Sequence, residues 1–523
     1  MYPNLHPSQK SKTWVVWWFL FGAAVFLYLL LFIPTRAPVY RASDNSVYVM
    51  NAMRMLNGQL IYRDFFQFTL PGTELVFFAL FKLFGVRQWI PNAVLLFLGL
   101  SLTWLSITIS KKVMSAQTAL LPSLLFLTFA FPNKVDASHH WFSVLAVMAA
   151  VAIVTEKRTP ARLAWVGALC GLALFFTQSR GIAAVLGFAV FLLWERQRKG
   201  ESWNTLLKNQ VYLFAPFLCT SFGASAYFVW RASIGQFLFD AVIFGVRYHP
   251  TYSDANGLKA YLFSPPDIRH WYSVPWLGVY VLIHILVPVT YVIFLLRYRV
   301  EARTRLTTPW DRLMLLNIVG LFLFLGVAPA PSFPRLCTVS LPALILTVWL
   351  GALPRKPEQF LTRCLWAFAL MLAVVEPLSI QRRRLPILDL PAGPTALWQP
   401  GWYEKYKWLR EYTKPSEFFF EGAWADVYFP LHLQNPATAP FLSATDYTRP
   451  EQVQEALKAL EQHRVRFVLW SLELDVPRDY LPAADHLGPF RDYLHTHYHV
   501  VKSFPDYDQA WERNQQLSEG KQR

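Results

Sequence analysis

The residues of this chain with chemistry in them are a few carboxylates and cations, each at the edge of an apolar segment. Asp44 lies in the stretch from Tyr40 to Pro71, YRASDNSVYVMNAMRMLNGQLIYRDFFQFTLP, just after a first apolar run, and Asp64 follows it beside Arg63. Asp136 sits in NKVDASHH with Lys134, His139 and His140, Arg180 in TQSRG, and Arg335 in PSFPRL. Arg247, Tyr248 and His249 are consecutive in a longer polar loop. A carboxylate can take the proton from an acceptor hydroxyl as that hydroxyl attacks a sugar carbon. Arginine and lysine can hold a phosphate leaving group, arginine through a planar fork of donors. This set suits sugar transfer from a polyisoprenoid phosphate, whose phosphate lies at headgroup depth and whose tail lies in lipid. Such transfer needs no nucleotide, and the chain has no Gly-rich phosphate loop.

The elements that must position these residues are membrane helices. Of the 523 residues, 54% are hydrophobic and 16% charged, against about 25% charged in a soluble globular protein. Apolar runs of roughly 13 to 23 residues, separated by short Arg/Lys clusters, define a polytopic helical membrane protein. The net charge of +16 resides mostly in short loops between apolar segments, where it orients helices, so it does not point to nucleic acid. The four cysteines, Cys170, Cys219, Cys337 and Cys364, form no close pair, which argues against a disulfide framework or a thiolate metal site. Pro34-Thr35-Arg36 lacks the small residues of a cleavage site, so the run from Trp14 to Ile33 is expected as an uncleaved first span.

Whether Leu70 to Phe84 crosses the membrane decides the side on which every later loop lies. If it stays on the outer surface, Lys111/Lys112, Lys157/Arg158/Arg162, Arg196/Arg198/Lys199, Arg297/Arg299/Arg303/Arg305 and Arg355/Lys356 all face inward, as the positive-inside rule requires. The outer loops then hold Lys134, Arg180 and Arg335 with the acids. The expected fold class is therefore an all-α polytopic membrane protein of about eleven spans, with the N-terminus inside and a surface helix from Val47 to Leu56, ended by Gly58. Residues 1–380 form the membrane domain and 381–401 a Pro-rich linker. Residues 402–523 form a small α/β domain outside, with helices at Tyr403–Tyr412 and Glu451–His463 and strands at Glu417–Phe420 and Val465–Trp470. His495, His497 and His499 share a face if their segment is a strand.

At these residues the chain resembles a known family. Asp44, Tyr48, Ala52, Leu56, Gly58, Tyr62, Asp64 and Pro71 are similar to the first outer loop of GT-C superfamily glycosyltransferases. They resemble most the bacterial members of the protein O-mannosyltransferase group, which includes the lipid A aminoarabinose transferase. The resemblance runs from about Trp14 to Leu353 and implies that Asp44 is the family's acid, Asp136 its second-loop acid, and Arg180 a replacement for its phosphate-binding lysine. Many members carry Asp-Glu where this chain has Asp44-Asn45. The lost carboxylate removes half of such a metal site, so no metal ligands are assigned and a divalent ion stays an open alternative.

Each residue also has a plainer role open to it. Asp44 can cap the surface helix, Asp64 can pair with Arg63, Asp136 can pair with Lys134, and Arg180 and Arg335 can snorkel to headgroups. The leading expectation is an inverting glycosyltransferase of the bacterial inner membrane, using a polyprenyl-phosphate sugar and a lipid, glycan or protein acceptor on the periplasmic face. Asp44 and Asp136 are its expected catalytic acids. Asp64, Lys134, His139, Arg180, Arg247, Tyr248, His249 and Arg335 are its expected substrate contacts. The alternative is a flippase or transporter of lipid-linked sugars, which calls for ionisable residues at mid-span and repeated halves; the sequence shows neither.

Overall fold

Apolar segments that meet lipid must close their backbone hydrogen bonds within themselves, so they form helices. The computed structural model describes residues 13–249, 274–305, 307–328, 331–352, 356–475 and 485–514. Tyr252, Asp254, Asp267 and His270 of the long polar loop lie outside the described residues. Helix α1 (Thr13–Leu31) is followed by α2 (Asn45–Leu56) and α3 (Gly72–Phe84), then by α4 (Trp89–Ser110). A broken helix spans Thr118–Asn133. Next come α5 (His139–Glu156), α6 (Pro160–Phe176), α7 (Gln178–Lys199), α8 (Trp203–Ala232), α9 (Val274–Glu301) and α10 (Trp310–Leu325). The membrane helices end with α11 (Phe333–Val339), α12 (Leu341–Gly351) and α13 (Lys356–Arg382).

Every segment expected to span is thus helical, but length and apolar composition sort them. Six of the described helices are long and apolar enough to cross a bilayer, namely α1, α4, α5, α8, α9 and α13, and the pair α11–α12, bent by 66°, makes a seventh. Thr118–Asn133 and α6 are shorter apolar helices. The chain is a multi-pass membrane protein, and length and apolar composition together support fewer full crossings among the described helices than the expected eleven. The chain divides into two compact units, one of Met1–Pro34, Ala93–Ala226 and Ala255–Arg384, the other of Thr35–Asn92, Tyr227–Asp254 and Leu385–Arg523.

In the first, membrane-helical unit, ion pairs gather alternate loops. Lys112 reaches Glu156 at 2.8 Å, Arg162 the same carboxylate at 3.2 Å, and Arg158 meets Asp311 at 2.9 Å and Glu195, at the end of α7, at 3.3 Å. The loops that were expected to face inward are therefore together. Helix α7 ends in this layer at Gly200, in the left-handed region at φ 67°, with Arg196, Arg198 and Lys199 in its last turn. Helix packing here depends on small residues. A Cβ on Gly167 would lie 2.0 Å from the Leu213 carbonyl oxygen of α8, and one on Gly171 2.7 Å from that of Phe217, so the two backbones meet directly.

The second unit contains α2, α3 and the whole C-terminal region. Strand β1 (Ala37–Tyr40), directly before the Asp44 segment, pairs in parallel with β3 (Gly393–Leu397), and β3 pairs antiparallel with β2 (Ile387–Leu390). The segment expected as a linker, 381–401, therefore carries two strands. Its apolar residues Leu388, Leu390 and Leu397 are buried in one core with Tyr40 and Met50 of the first loop and Trp402, Tyr406 and Phe467 of the C-terminal region. Helix α14 (Trp402–Tyr412) and helix α15 (Pro450–Gln462) match the sequence reading. The second sheet is built from β4 (Phe420–Glu421), β5 (Phe467–Ser471), β6 (Tyr498–Ser503) and β7 (Asp508–Arg513), with β5 parallel to β4 and antiparallel to β7, and β7 antiparallel to β6. The histidine expectation is corrected: His495 and His497 close a helix, Gly488–His497, and only His499 is on a strand. The His495 ring packs on Trp511 at 5.2 Å, His497 Nδ1 lies 3.1 Å from the Tyr493 carbonyl one turn back, and His499 Nδ1 lies 2.8 Å from Asn514, so the three have separate partners.

The glycine contacts give a direct test. Gly167→Ala forces α6 from α8 and is expected to cost about 1–3 kcal/mol, seen as a lower thermal midpoint in detergent. Gly223→Ala in the same α8, where nothing lies within 4 Å, is expected to leave the midpoint unchanged. Equal behaviour of the two variants would contradict the packing account.

Candidate active site

In the membrane-helical unit, three chain segments bring their polar residues to one place. The helix Thr118–Asn133 loses regular geometry before it ends: a π turn covers Phe126–Ala130 and a 3-10 turn Phe131–Asn133. Pro132 leaves a backbone acceptor without its helical donor there. This unwound end delivers Lys134 and Asp136. Asp136 is buried, one carboxylate oxygen lies 2.8 Å from Lys134 Nζ, and the other has no hydrogen-bond partner. His139 and His140 then open α5, with ring centroids 3.9 Å apart.

Arg180 comes from the tight turn between α6 and α7. Only Thr177 separates the two helices, and a Cβ on Gly181 would meet the Leu174 backbone at 2.3 Å, so glycine is what lets the turn close. Thr177 Oγ1 donates to the His139 carbonyl, and Arg180 is 1% exposed. Its guanidinium donates to the His140 carbonyl at 2.6 Å, to Ser143 Oγ at 3.3 Å and to Thr338 Oγ1 at 2.7 Å. These partners are all neutral, and among the described residues no carboxylate pairs with Arg180. It does not snorkel; it is a buried cation. Thr338 lies on α11 and itself donates to the Arg335 carbonyl at 2.6 Å, and the bend at Ser340 lets α11 bring Arg335 to this end. Lys134, Arg180 and Arg335 all act electrostatically on His140. Three cations thus gather with one carboxylate, Asp136, an arrangement that attracts an anion.

In the second unit, Asp44 begins α2. It is exposed, its backbone is already helical at φ −47° and ψ −31°, and its side chain makes no capping bond. The capping role therefore does not account for it. Helix α2 is held rigidly behind Asp44. Met50 enters the core shared with the C-terminal region, and Arg54, buried, donates to Gln59 Oε1 at 2.8 Å and to the Ala437 carbonyl at 2.8 Å. Burial draws the Arg54 guanidinium down to about 10. Asp64 is committed locally: it accepts from Arg63 at 2.7 and 2.9 Å and from the Leu60 N–H at 2.7 Å. The Arg63 hydrogen bond holds its carboxyl below the usual range.

Arg247, Tyr248 and His249 are less open to a substrate than their loop position suggested. Tyr248 is buried with Phe66, Phe244 and Tyr447, His249 packs on Phe68 at 4.6 Å, and Arg449 lies over the Tyr248 ring at 4.3 Å. Arg247 remains exposed. Sequence reasoning missed Ser143 and Thr338, whose only signal is a small hydroxyl inside an apolar run, and it missed Glu74. Glu74 is fully buried on α3 and accepts from Gln67 Nε2 at 2.7 Å. Burial pushes its carboxyl from 4.5 up to about 7. Asp240, buried and hydrogen-bonded to Gln236 at 3.0 Å, is likewise pushed up to about 7.

No protein-family profile and no curated protein matches the chain. Its fold matches solved structures. ArnT from Cupriavidus metallidurans bound to undecaprenyl phosphate superposes with a TM-score of 0.59 at 13% identity, covering 98% of this chain and 100% of that one. The apo state of the same protein gives 0.58 at 13% identity over 96% and 98%. The oligosaccharyltransferase AglB from Archaeoglobus fulgidus, in complex with an inhibitory peptide and a dolichol-phosphate, gives 0.52 at 11% identity over 96% and 75%. The chain therefore has the fold of these proteins over nearly its whole length.

The buried acids set a pH dependence whose sign is fixed. The folded carboxyls are raised, so the fold favours their protonated forms. Their contribution is whole below the unfolded values near 4 and is lost as the pH rises through about 7. Glu74→Gln should remove its share of that loss, on the order of 3 kcal/mol, and so flatten the fall of the thermal midpoint between pH 4.5 and 7.5. An unchanged fall would show that Glu74 is ionised in the fold.

Proposed function

We propose that this chain is an inverting glycosyltransferase that moves a sugar from a polyprenyl-phosphate donor to a hydroxyl acceptor on the outer face of a bacterial inner membrane. The observation that carries the reading is the Arg180 guanidinium, buried and bonded, among the described residues, only to a carbonyl and two hydroxyls. A cation held without a counter-charge is costly, and a phosphate supplies the missing charge through strong, short hydrogen bonds. Arg335 and Lys134 add to the same field. The solved structures of the same fold that hold undecaprenyl phosphate and dolichol-phosphate support a prenyl phosphate as the ligand.

The acceptor hydroxyl attacks the anomeric carbon on the face opposite the phosphate. Asp44 takes the hydroxyl proton as the new C–O bond forms. The bond from the anomeric carbon to the phosphate oxygen breaks, and the electron pair leaves with the polyprenyl phosphate. Arg180, Arg335 and Lys134 stabilise the added negative charge, which is greater in the transition state than in the donor. Asp136, with one oxygen on Lys134 and the other unpartnered, positions the acceptor or that lysine. His139 borders this cluster. Asp64 and the Arg247–His249 segment contribute by shaping the second unit.

Asp44→Asn should keep expression, membrane insertion and donor binding while lowering transfer from a polyprenyl-phosphate sugar by about 10²–10⁴-fold. Turnover near the wild-type level would reassign the base. Reporter fusions after Lys112 and after Lys356 should both report the cytoplasmic side, and a periplasmic signal at either would overturn the outer-face assignment.

A further inference from the structure

The helical run that follows α8 has two apolar sides, and among the described residues only one of them is covered. Helix α8 ends at Ala232, Ser233 turns the chain at φ 89°, and the run continues through Ile234–Leu238, a π segment Phe239–Phe244, and Gly245–Arg247. One side packs within the second unit. Phe237 meets Tyr62 at 5.2 Å, Phe244 meets Phe66 at 4.5 Å, and the acid of the run, Asp240, is buried on this side. The other side presents Ile234, Leu238, Val242 and Val246 at a spacing of four, flanked by Phe239 and Ile243, all exposed, Val246 to 77% and Ile234 to 64%. Residues 234–246 place no charged side chain on that face. A lone exposed leucine is ordinary, but six large apolar residues on one side of one helix are not.

We propose that this face lies in the outer leaflet of the membrane, so that the 234–247 run is an in-plane lipid-docking helix. Continuity identifies the occupant. Helix α8 is long and apolar enough to cross a bilayer, and Trp230, 77% exposed beside Arg231, marks the aromatic and basic boundary where such a helix leaves lipid. Only Ser233 separates that boundary from Ile234, so the run begins at interfacial depth. A helix there buries its apolar side about 5–10 Å into the headgroup–acyl boundary. Its opposite side is already fixed to the first loop through Phe66 and Tyr62, which gives the docking a structural consequence: the polar loop that carries Asp44 is tied to an element seated in lipid.

The test uses the full chain in nanodiscs of phosphatidylcholine and phosphatidylglycerol. With the two exposed cysteines replaced, Cys219→Ser and Cys364→Ser, a nitroxide is attached at Val242→Cys or at Val246→Cys. Tyr507→Cys, 68% exposed at a turn of the C-terminal region, serves as the water-facing reference and Leu218→Cys on α8 as the lipid-facing one. The proposal expects an oxygen-to-nickel accessibility ratio at 242 and 246 several-fold above that at 507 and close to that at 218. A ratio equal to that at 507 would place the face in water and overturn it. Low accessibility to both reagents would show the face covered by protein, another part of the chain or a second copy, and would also overturn it.

Discussion

The guanidinium of Arg180, buried among neutral acceptors, is the interaction around which the membrane-helical unit is built. A carbonyl and two hydroxyls satisfy its donors but leave its charge uncompensated, and holding a buried cation in that state costs several kcal/mol. Several irregular features converge on this one side chain. The hairpin at Thr177 needs Gly181 to close, the bend at Ser340 turns α11 so that Thr338 meets Arg180, and α5 begins at His139 so that its first carbonyls point to the guanidinium. The unwound end of Thr118–Asn133 adds Lys134 and Asp136 to the same region. Regular spans would need none of these. The breaks cost helical hydrogen bonds, and what they gain is a cluster of cations at a helix end.

The second unit solves a different problem, that of keeping one exposed carboxylate still. Asp44 directly precedes a twelve-residue helix, at its N-cap position, and a helix of that length is marginal by itself. Its stability comes from tertiary anchors: β1 just before it is a strand in a sheet with β3 and β2, Met50 lies in the core, and Arg54 bonds the Ala437 carbonyl. Buried polar residues such as Glu74 and Gln67 brace α3 close by. The first loop and the C-terminal region are therefore one folded body, and the C-terminal region acts as the scaffold of the loop that carries the acid.

Much of this was legible in the residues, because lipid and water impose strong patterns. The apolar runs became helices, and α2 followed its helical spacing and ended at Gly58, which takes φ 86°. Long-range pairing was not legible. Ile387–Leu397 reads as a linker because Pro386, Pro391 and Pro394 punctuate it, yet its alternating apolar residues find β1 about 350 positions earlier in the chain. The histidine strand failed for a local reason: α16 (Gly488–His497) holds its helical bonds up to His497, one residue before Tyr498 turns extended. Ser143 and Thr338 carry no local signal, since their meaning comes only from Arg180 on another helix.

The central claim is that Arg180 awaits a phosphate. Its most direct measurement is the affinity of a polyprenyl monophosphate, carrying no sugar, for the wild type and for Arg180→Gln, read by native mass spectrometry on protein released from nanodiscs. Losing charged hydrogen bonds to the phosphate is expected to weaken binding about 10- to 100-fold in a variant that still melts like the wild type. Equal affinity in such a variant would contradict the account, because the buried cation would then have no anion to serve.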